Sequence, residues 1–347
     1  MSIVSGWATG FRPTKVVSSA NAASSTVGML AQDVGDATTG GQTTGGQTTG
    51  GQTTGGQTRG DVTDGGKQEP LPFELMICDY VRFKLSRVDR SGKVVWEHSP
   101  AGKVWDFVLV DEDTIVYPII TDTFEVRCID FQKKLKWAWP YAKQYREIIN
   151  ITRHQSQLII SGQDPPQAIV MSLDGTIQKQ LPIPAKYQHH HGQLGNVYAV
   201  GGNCFLAQLW GEGTVLEVDS SGKEVWRYQV PKFGLGRYPA GTVQDVLRLD
   251  NGNTMVACGT QARLLEVDRS GRIVWEFDGK LNPELNFTNA CGLQPLRNGS
   301  ILVTNFLRGN AGHGAHAFLL SKERAITWTF RDHKNVTAAS QVWAIES

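Results

Sequence analysis

The 347-residue chain has few cysteines, almost no net charge and no long apolar run, and each shortage removes a class of protein. Its five cysteines, Cys78, Cys128, Cys204, Cys258 and Cys291, are odd in number and contain no CxxC pair, which excludes a disulfide scaffold. Four of them lie in or beside apolar runs such as Leu75–Cys78 and Met255–Cys258, where a cysteine acts as a small buried hydrophobe. A net charge of +1 gives no field suited to a polyanion, so nucleic acid is not an expected partner. No stretch approaches the roughly 18 apolar residues of a membrane span. The first thirty residues also lack the apolar core of a signal peptide. As written, the chain is expected to be cytoplasmic, or periplasmic or secreted if its start codon is mispredicted.

Residues 1 to 70 are rich in Ser, Thr, Gly and Gln, and Thr38 to Gln57 is four copies of TTGGQ. Such a segment buries too little apolar surface to offset the entropy of ordering it, so a disordered tether is expected there. From Leu71 onward the chain changes to short β-branched and aromatic runs separated by Gly, Asn and Asp turns. One unit recurs: DRSGKVVW at Asp89 to Trp96, DSSGKEVW at Asp219 to Trp226 and DRSGRIVW at Asp268 to Trp275. Degenerate copies end at Trp137, Lys179 and Trp328, so the equivalent positions are 96, 137, 179, 226, 275 and 328. Their spacings of 41, 42, 47, 49 and 53 residues suit four short strands with tight turns, the content of a propeller blade.

A second signature precedes the first in each period, a turn followed by an apolar strand, as in LDNGNTMVACG from Leu249 and LRNGSILVTN from Leu296. Each blade therefore reads as strand, Asn-Gly hairpin, strand, loop, strand, Ser-Gly hairpin, strand ending in Trp. The first blade, starting at ELMICDY, lacks an innermost strand, while the chain ends in SQVWAIE, one such strand without the rest of a blade. Together they complete one blade and remove two exposed sheet edges. The fold class is all-β: a six-bladed β-propeller of four-stranded antiparallel blades over residues 71 to 347, closed by the C-terminal strand. A monomer is expected.

The DxSGKxxW unit resembles the tryptophan-docking repeat of PQQ-dependent quinoprotein dehydrogenases, best at Asp219 to Trp226 and Asp89 to Trp96. That resemblance implies that Trp96, Trp137, Trp226, Trp275 and Trp328 pack between blades, as the large area of a Trp at a strand end would favour. Those dehydrogenases resemble eight-bladed rings with adjacent cysteines beside the cofactor. This chain has six repeats and no adjacent cysteines, so PQQ is not expected to bind. RLDNGNTMVACG, LQPLRNGSILVTNF and GHGAHAFLL look like members of the PQQ-like propeller proteins of Bacteroidetes and Planctomycetes, a resemblance that implies the fold and a bacterial origin but no reaction.

In this layout the hairpins share one face of the disc, and the strand-two-to-three and blade-to-blade connections share the other. His98, His189, His190, His191, His313, His316 and His333 all fall in connections of the second kind, leaving only His154 in a hairpin. The densest group is YQHHHG at Tyr187 to Gly192, which leads into an innermost strand and should open onto the central channel. RGNAGHGAHA, with His313 and His316, is expected to bend over the same mouth. Trp210 and Glu212 of LWGEG, and Arg237 and Tyr238 of GLGRYPAG, come from neighbouring loops. Because side chains alternate on an extended chain, His189 and His191, or His190 alone, are expected to face the channel. A divalent metal would need further ligands from His313, His316 or His333.

Two readings stay open. In one, the propeller is a binding disc for a glycan, a small polar ligand or a protein partner, using His189, His190, His191, Trp210, Glu212, Arg237, His313, His316 and His333. In the other it is an enzyme, with His190, Arg237, Tyr238 and His316 as candidate acid, base or nucleophile in a polysaccharide lyase or hydrolase. Bacterial arylsulfate sulfotransferases are similar in their DGxxxW and NGN repeats. Their His-His-Asp stretch is replaced here by HHHGQLGNVYAVGGN, which lacks the Asp.

Overall fold

The structure, a computed structural model, describes residues 70–233, 242–307 and 312–346. Residues 1 to 69 of the tether expected over residues 1 to 70, Arg237, Tyr238 and residues 308–311 of the RGNAGHGAHA loop lie outside the described residues. Among the described residues, twenty-four strands form six four-stranded antiparallel sheets. Blade one holds β1 (Glu74–Asp79), β2 (Lys84–Val88) and β3 (Val94–His98). Blade two is β4 (Val108–Asp111), β5 (Thr114–Ile119), β6 (Glu125–Asp130) and β7 (Leu135–Pro140). Blade three is β8 (Glu147–His154), β9 (Gln157–Gln163), β10 (Gln167–Ser172) and β11 (Ile177–Pro182). Blade four is β12 (Val197–Val200), β13 (Cys204–Leu209), β14 (Thr214–Val218) and β15 (Glu224–Gln229). Blade five is β16 (Asp245–Arg248), β17 (Thr254–Ala257), β18 (Arg263–Val267) and β19 (Ile273–Asp278). Blade six is β20 (Ala290–Pro295), β21 (Ile301–Asn305), β22 (Ala317–Leu320) and β23 (Ile326–Phe330). The last strand, β24 (Ala339–Ile345), pairs antiparallel with β1 from Glu74↔Ile345 to Asp79↔Ala339 and so closes the ring inside blade one. No helix among the described residues is long and apolar enough to cross a membrane.

Burial follows strand position. The second strand of blade two, TIVYPI, is buried throughout, whereas the fourth strand, LKWAWP, alternates exposed and half-buried residues. Inner strands are covered on both faces by neighbouring blades, and outer strands on their blade faces only. Every blade carries the same irregularity between its third and fourth strands, a register shift beside the docking position. Arg87↔Trp96, Cys128↔Trp137, Val170↔Lys179, Glu217↔Trp226, Glu266↔Trp275 and Leu319↔Trp328 pair, and the next pair skips one residue of the outer strand. The skipped residues include Val95, Val225 and Val274, about half exposed, because a bulge turns its extra residue out of the ladder.

The turn before each docking position is held by its first residue. Asp89 Oδ1 accepts from Ser91 N at 2.9 Å, Ser91 Oγ at 2.6 Å and Lys93 N at 3.0 Å, and Asp219 and Asp268 repeat the pattern. The fourth position of the turn is left-handed in all six copies. It is glycine at Gly92, Gly175, Gly222 and Gly271, but Lys133 and Arg324, both at φ 66°, take it in the two degenerate copies.

The docking residues reach the next blade's turn. Trp96 Nε1 donates to Phe131 O at 2.7 Å, Trp137 Nε1 to Leu173 O at 2.9 Å and Trp226 Nε1 to Arg269 O at 3.0 Å. Lys179 replaces the indole in blade three, and its Nζ donates to the equivalent carbonyl, Ser220 O. Arg248 and Arg269, both ion-paired to Glu217, lie over the Trp226 ring at 5.5 and 5.2 Å. These tryptophans therefore pack between blades, as the repeat implied.

Candidate functional site

With antiparallel strands ordered from axis to rim, β11 to β12, β21 to β22 and β23 to β24 connect on the face opposite the hairpins. His189, His190, His191, His313, His316 and His333 lie in those connections, His98 ends β3 on the same face, and His154 ends β8 at a hairpin. The face is shared, but apart from His98, which meets Tyr117 of blade two, the histidines form two groups: one where blade three meets blade four, the other where blade six meets blade one.

The first group is the YQHHHG loop, whose backbone is fastened by side chains from two neighbouring segments and by the residue that follows it. Glu212 Oε1 accepts the amides of Lys186 and Tyr187, the latter at 3.0 Å. Gln163 Oε1, at the end of β9, accepts the amides of Gly192 at 3.0 Å and Gln193 at 3.1 Å. Gln193 Nε2 closes the loop on Tyr187 O at 3.1 Å. The Tyr187 ring packs on Gly211, where a Cβ would stand 2.5 Å from Cδ1 and Cε1, so that position needs glycine for its close approach.

His189 and His190 stack with ring centroids 4.5 Å apart. His191 turns away, its Nδ1 3.0 Å from Glu147 Oε2 and its ring edge-on to Trp210 at 4.9 Å. The alternation expected for an extended chain is thus corrected: residues 188–191 are bends and a turn, so neighbouring rings can share a side. Partial burial, with the positive charge of Arg146 next, holds His190 below the ordinary histidine value, which favours its neutral form. Glu212, read as a ligand carboxylate, instead braces the loop and also faces Arg227 at 3.8 Å.

The second group differs in kind. His313 is exposed. His316 is 0% exposed, with neither ring nitrogen hydrogen-bonded, and lies 4.7 Å from His333 between ring centroids. Burial, with the charges of His333 and Arg82 following, pushes His316 down to about 3. The expectation of an open His316 loop over the mouth shared with His190 is corrected on this point, since the β22 end of that loop is packed inside the disc. His98 is half-buried with Nε2 2.8 Å from Tyr117 Oη, and burial pushes it down to about 4. Among the described residues, no three His, Cys, Asp or Glu side chains converge as a metal centre would need.

Sequence reasoning missed the polar belt around the axis. All six junctions between neighbouring innermost strands are joined through a side chain. Asp106 Oδ2 accepts Ile151 N at 3.2 Å, Thr152 Oγ1 donates to Val197 O, and Tyr198 Oη donates to Asp245 Oδ1 at 2.7 Å. Asp245 Oδ2 accepts Leu293 N at 2.7 Å, Gln294 exchanges two bonds with Ala344, and Ser340 Oγ donates to Trp105 O at 2.6 Å. Asn196 Nδ2 adds a second donor to Asp245 Oδ1 at 3.2 Å. Burial dominates both carboxylates and raises Asp106 to about 7 and Asp245 to about 6. The signal in the sequence was Asp106, Asn196 and Asp245, each a polar residue opening an apolar inner strand and standing six residues before a turn position (112, 202 and 251).

Comparison with solved structures supports the same fold. A protein of unknown function from Bacteroides caccae superposes with a TM-score of 0.65 at 16% identity, covering 78% of this chain and 98% of its own. Virginiamycin B lyase from Staphylococcus aureus gives 0.53 at 13% identity, covering 77% and 81%. The WD40 propeller domain of Doa1 gives 0.50 at 13% identity, covering 81% and 84%. A search of curated proteins finds no match. The family model described as outer membrane protein assembly factor BamB matches residues 82–310, well over half the chain, and the chain belongs to that family of PQQ-like repeat propellers.

Proposed function

We propose that this propeller is a non-catalytic binding disc that takes a glycan on its connection face, through His189, His190 and His191. The observation that carries the reading is the fastened loop: side chains of Glu212, Gln163 and Gln193 fix its backbone, while its imidazoles stay at the surface. A loop held in place before binding loses little conformational freedom when a ligand arrives. A neutral imidazole both donates and accepts, as sugar hydroxyls require, and the Glu147 carboxylate beside His191 adds an acceptor. Trp210 places an aromatic ring against the same imidazole. The family description, an assembly factor, agrees with a scaffold more than with a catalyst.

The test is thermal denaturation of the full chain with neutral and acidic oligosaccharides. A ligand at 100 times its Kd adds about 2.7 kcal/mol, a rise of several degrees. That rise should vanish in His189→Ala and His190→Ala. A rise that survives both substitutions would sink the reading, and new saccharide ends appearing in the mixture would replace it with a lyase or hydrolase.

A further inference from the structure

We propose that Tyr80, Phe83, Lys103 and Trp105 form an acid-sugar subsite on the connection face, one that seats the carboxylate of a uronate residue. The proposal rests on the glycan reading for the kind of molecule, but its residues belong to the β1–β2 loop and the β3–β4 connection, apart from the histidine loop. Lys103 lies over two rings at once, its Nζ 5.6 Å from the Tyr80 centroid and 5.6 Å from that of Phe83. The side chain is half-buried, and no carboxylate among the described residues pairs with it. Its positive charge is therefore held in place by the rings and still lacks an anion.

Both halves of the patch are fastened from behind. Lys103 N donates to Thr121 Oγ1 at 3.0 Å and Lys103 O accepts Ile120 N at 2.8 Å, which ties the lysine to the β5–β6 turn of blade two. Asp79, 2% exposed, accepts Val81 N at 3.1 Å and Arg82 N at 3.2 Å from the β1–β2 loop, and Thr337 N at 2.6 Å from the last connection. The Arg82 guanidinium is spent on Thr337 Oγ1 and the carbonyls of Lys334 and Asn335. A ligand arriving here has little left to order.

Phe83 sits at φ 51°, a backbone conformation that costs a bulky residue energy, and is 40% exposed, the one exposed large aromatic among the described residues. Phe124, the last residue of the corresponding turn in blade two, has the same conformation at φ 48°, but its ring meets Tyr141 edge-on at 6.3 Å. Blade one keeps the strained backbone without the covering ring, so Phe83 is left to solvent and Lys103. Trp105 extends the surface: it is half-buried, edge-on to Tyr80 at 5.3 Å and backed by the buried Phe306 at 5.1 Å.

Aromatic rings beside a fixed ammonium fit a uronate on two counts. The apolar C–H face of the sugar covers the rings, and the carboxylate pairs with Lys103 in a charge-assisted contact. A neutral sugar in the same place would strip water from the ammonium and return no charge to it.

The experiment titrates the full chain by calorimetry with octamers of galacturonate and of mannuronate, and with the same octamers reduced to neutral sugars. At least one acidic octamer should bind, and its affinity should fall at least about tenfold on reduction and in Lys103→Gln, while Lys103→Arg retains it. Phe83→Asn, which suits the left-handed backbone, should weaken it about threefold or more and tests the patch even where Lys103→Gln fails to fold. Failure of both acidic octamers to bind, equal binding of the reduced forms, or unchanged affinity in folded Lys103→Gln or Phe83→Asn protein would overturn the proposal. An oligoglutamate that binds as tightly would replace it with a site for acidic peptides. His190→Ala keeps the two readings apart: an effect of Lys103→Gln without one of His190→Ala sinks the histidine loop and leaves this subsite standing, and the converse sinks the subsite alone.

Discussion

The Tyr198 hydroxyl donates to Oδ1 of Asp245 at 2.7 Å, joining the innermost strands of blades four and five through a carboxylate that is 0% exposed. The same carboxylate also accepts Val246 N at 2.9 Å and Leu293 N of blade six at 2.7 Å. One buried side chain thus ties three consecutive blades at the axis.

Stability should fall as pH rises from about 4 to 7. Asp106 and Asp245 hold protons to about 7 and about 6 when folded, against an ordinary value of 3.8. Between those values the native state binds more protons than the unfolded chain, so the slope of unfolding free energy with pH is negative. Urea midpoints across that window check the sign.

Tyr198→Phe removes a donor that favours the charged form of Asp245. It should cost about 2 kcal/mol at pH 8, where the carboxylate is ionised, and less at pH 5. Equal losses at both values would mean that the hydroxyl acts by packing alone.

Trp226→Ala should cost about 2–3 kcal/mol, through lost area, the bond to Arg269 O and the two arginines left without their ring. The reciprocal change, Lys179→Trp, restores the repeat in blade three and is expected to add about 1 kcal/mol. Chemical denaturation of both variants measures the difference.

Lys133 occupies the left-handed turn position that glycine fills in four other blades. Lys133→Gly should stabilise the protein by about 1 kcal/mol, since glycine adopts that conformation without steric cost. A thermal midpoint unchanged or lowered would show that the lysine is compensated elsewhere.

Gly211→Ala pushes a Cβ into the Tyr187 ring and should loosen the YQHHHG loop, at a cost of about 1–2 kcal/mol. His190→Ala should change stability by less than about 0.5 kcal/mol while abolishing ligand-induced stabilisation. Calorimetry on the pair separates loss of loop shape from loss of a contact.

The fold was legible because the repeat states it several times. Where one copy departs, as at Lys179 or Lys133, neighbours with Trp and Gly supply the reading, and the structure keeps the same bond and the same φ with other residues. The candidate site has no such redundancy. Counting histidines put most of them on one face, as the structure does, but the sequence does not say that His316 turns inward, because that depends on how the blade-six connection packs against His333. The alternation rule failed at His189 and His190 because it presumes an extended chain, and the bent loop there is held by Gln163 at the end of β9 and Glu212 in the turn between β13 and β14. The sequence does not join Asp106 and Asp245 to their partners, since only the closed ring brings the inner strands together.

The pairing of β1 with β24 has a consequence in time. Glu74 must wait for Ile345, 271 positions downstream, before its strand acquires a partner on the axial side. Pairings of such long sequence separation form slowly. Until this one is made, the axial edge of blade one stays open to any other strand. The half-built ring, not the finished disc, is therefore the species in which this chain is most exposed to self-association, and slowing its final closure should raise aggregation even where the folded protein is unchanged.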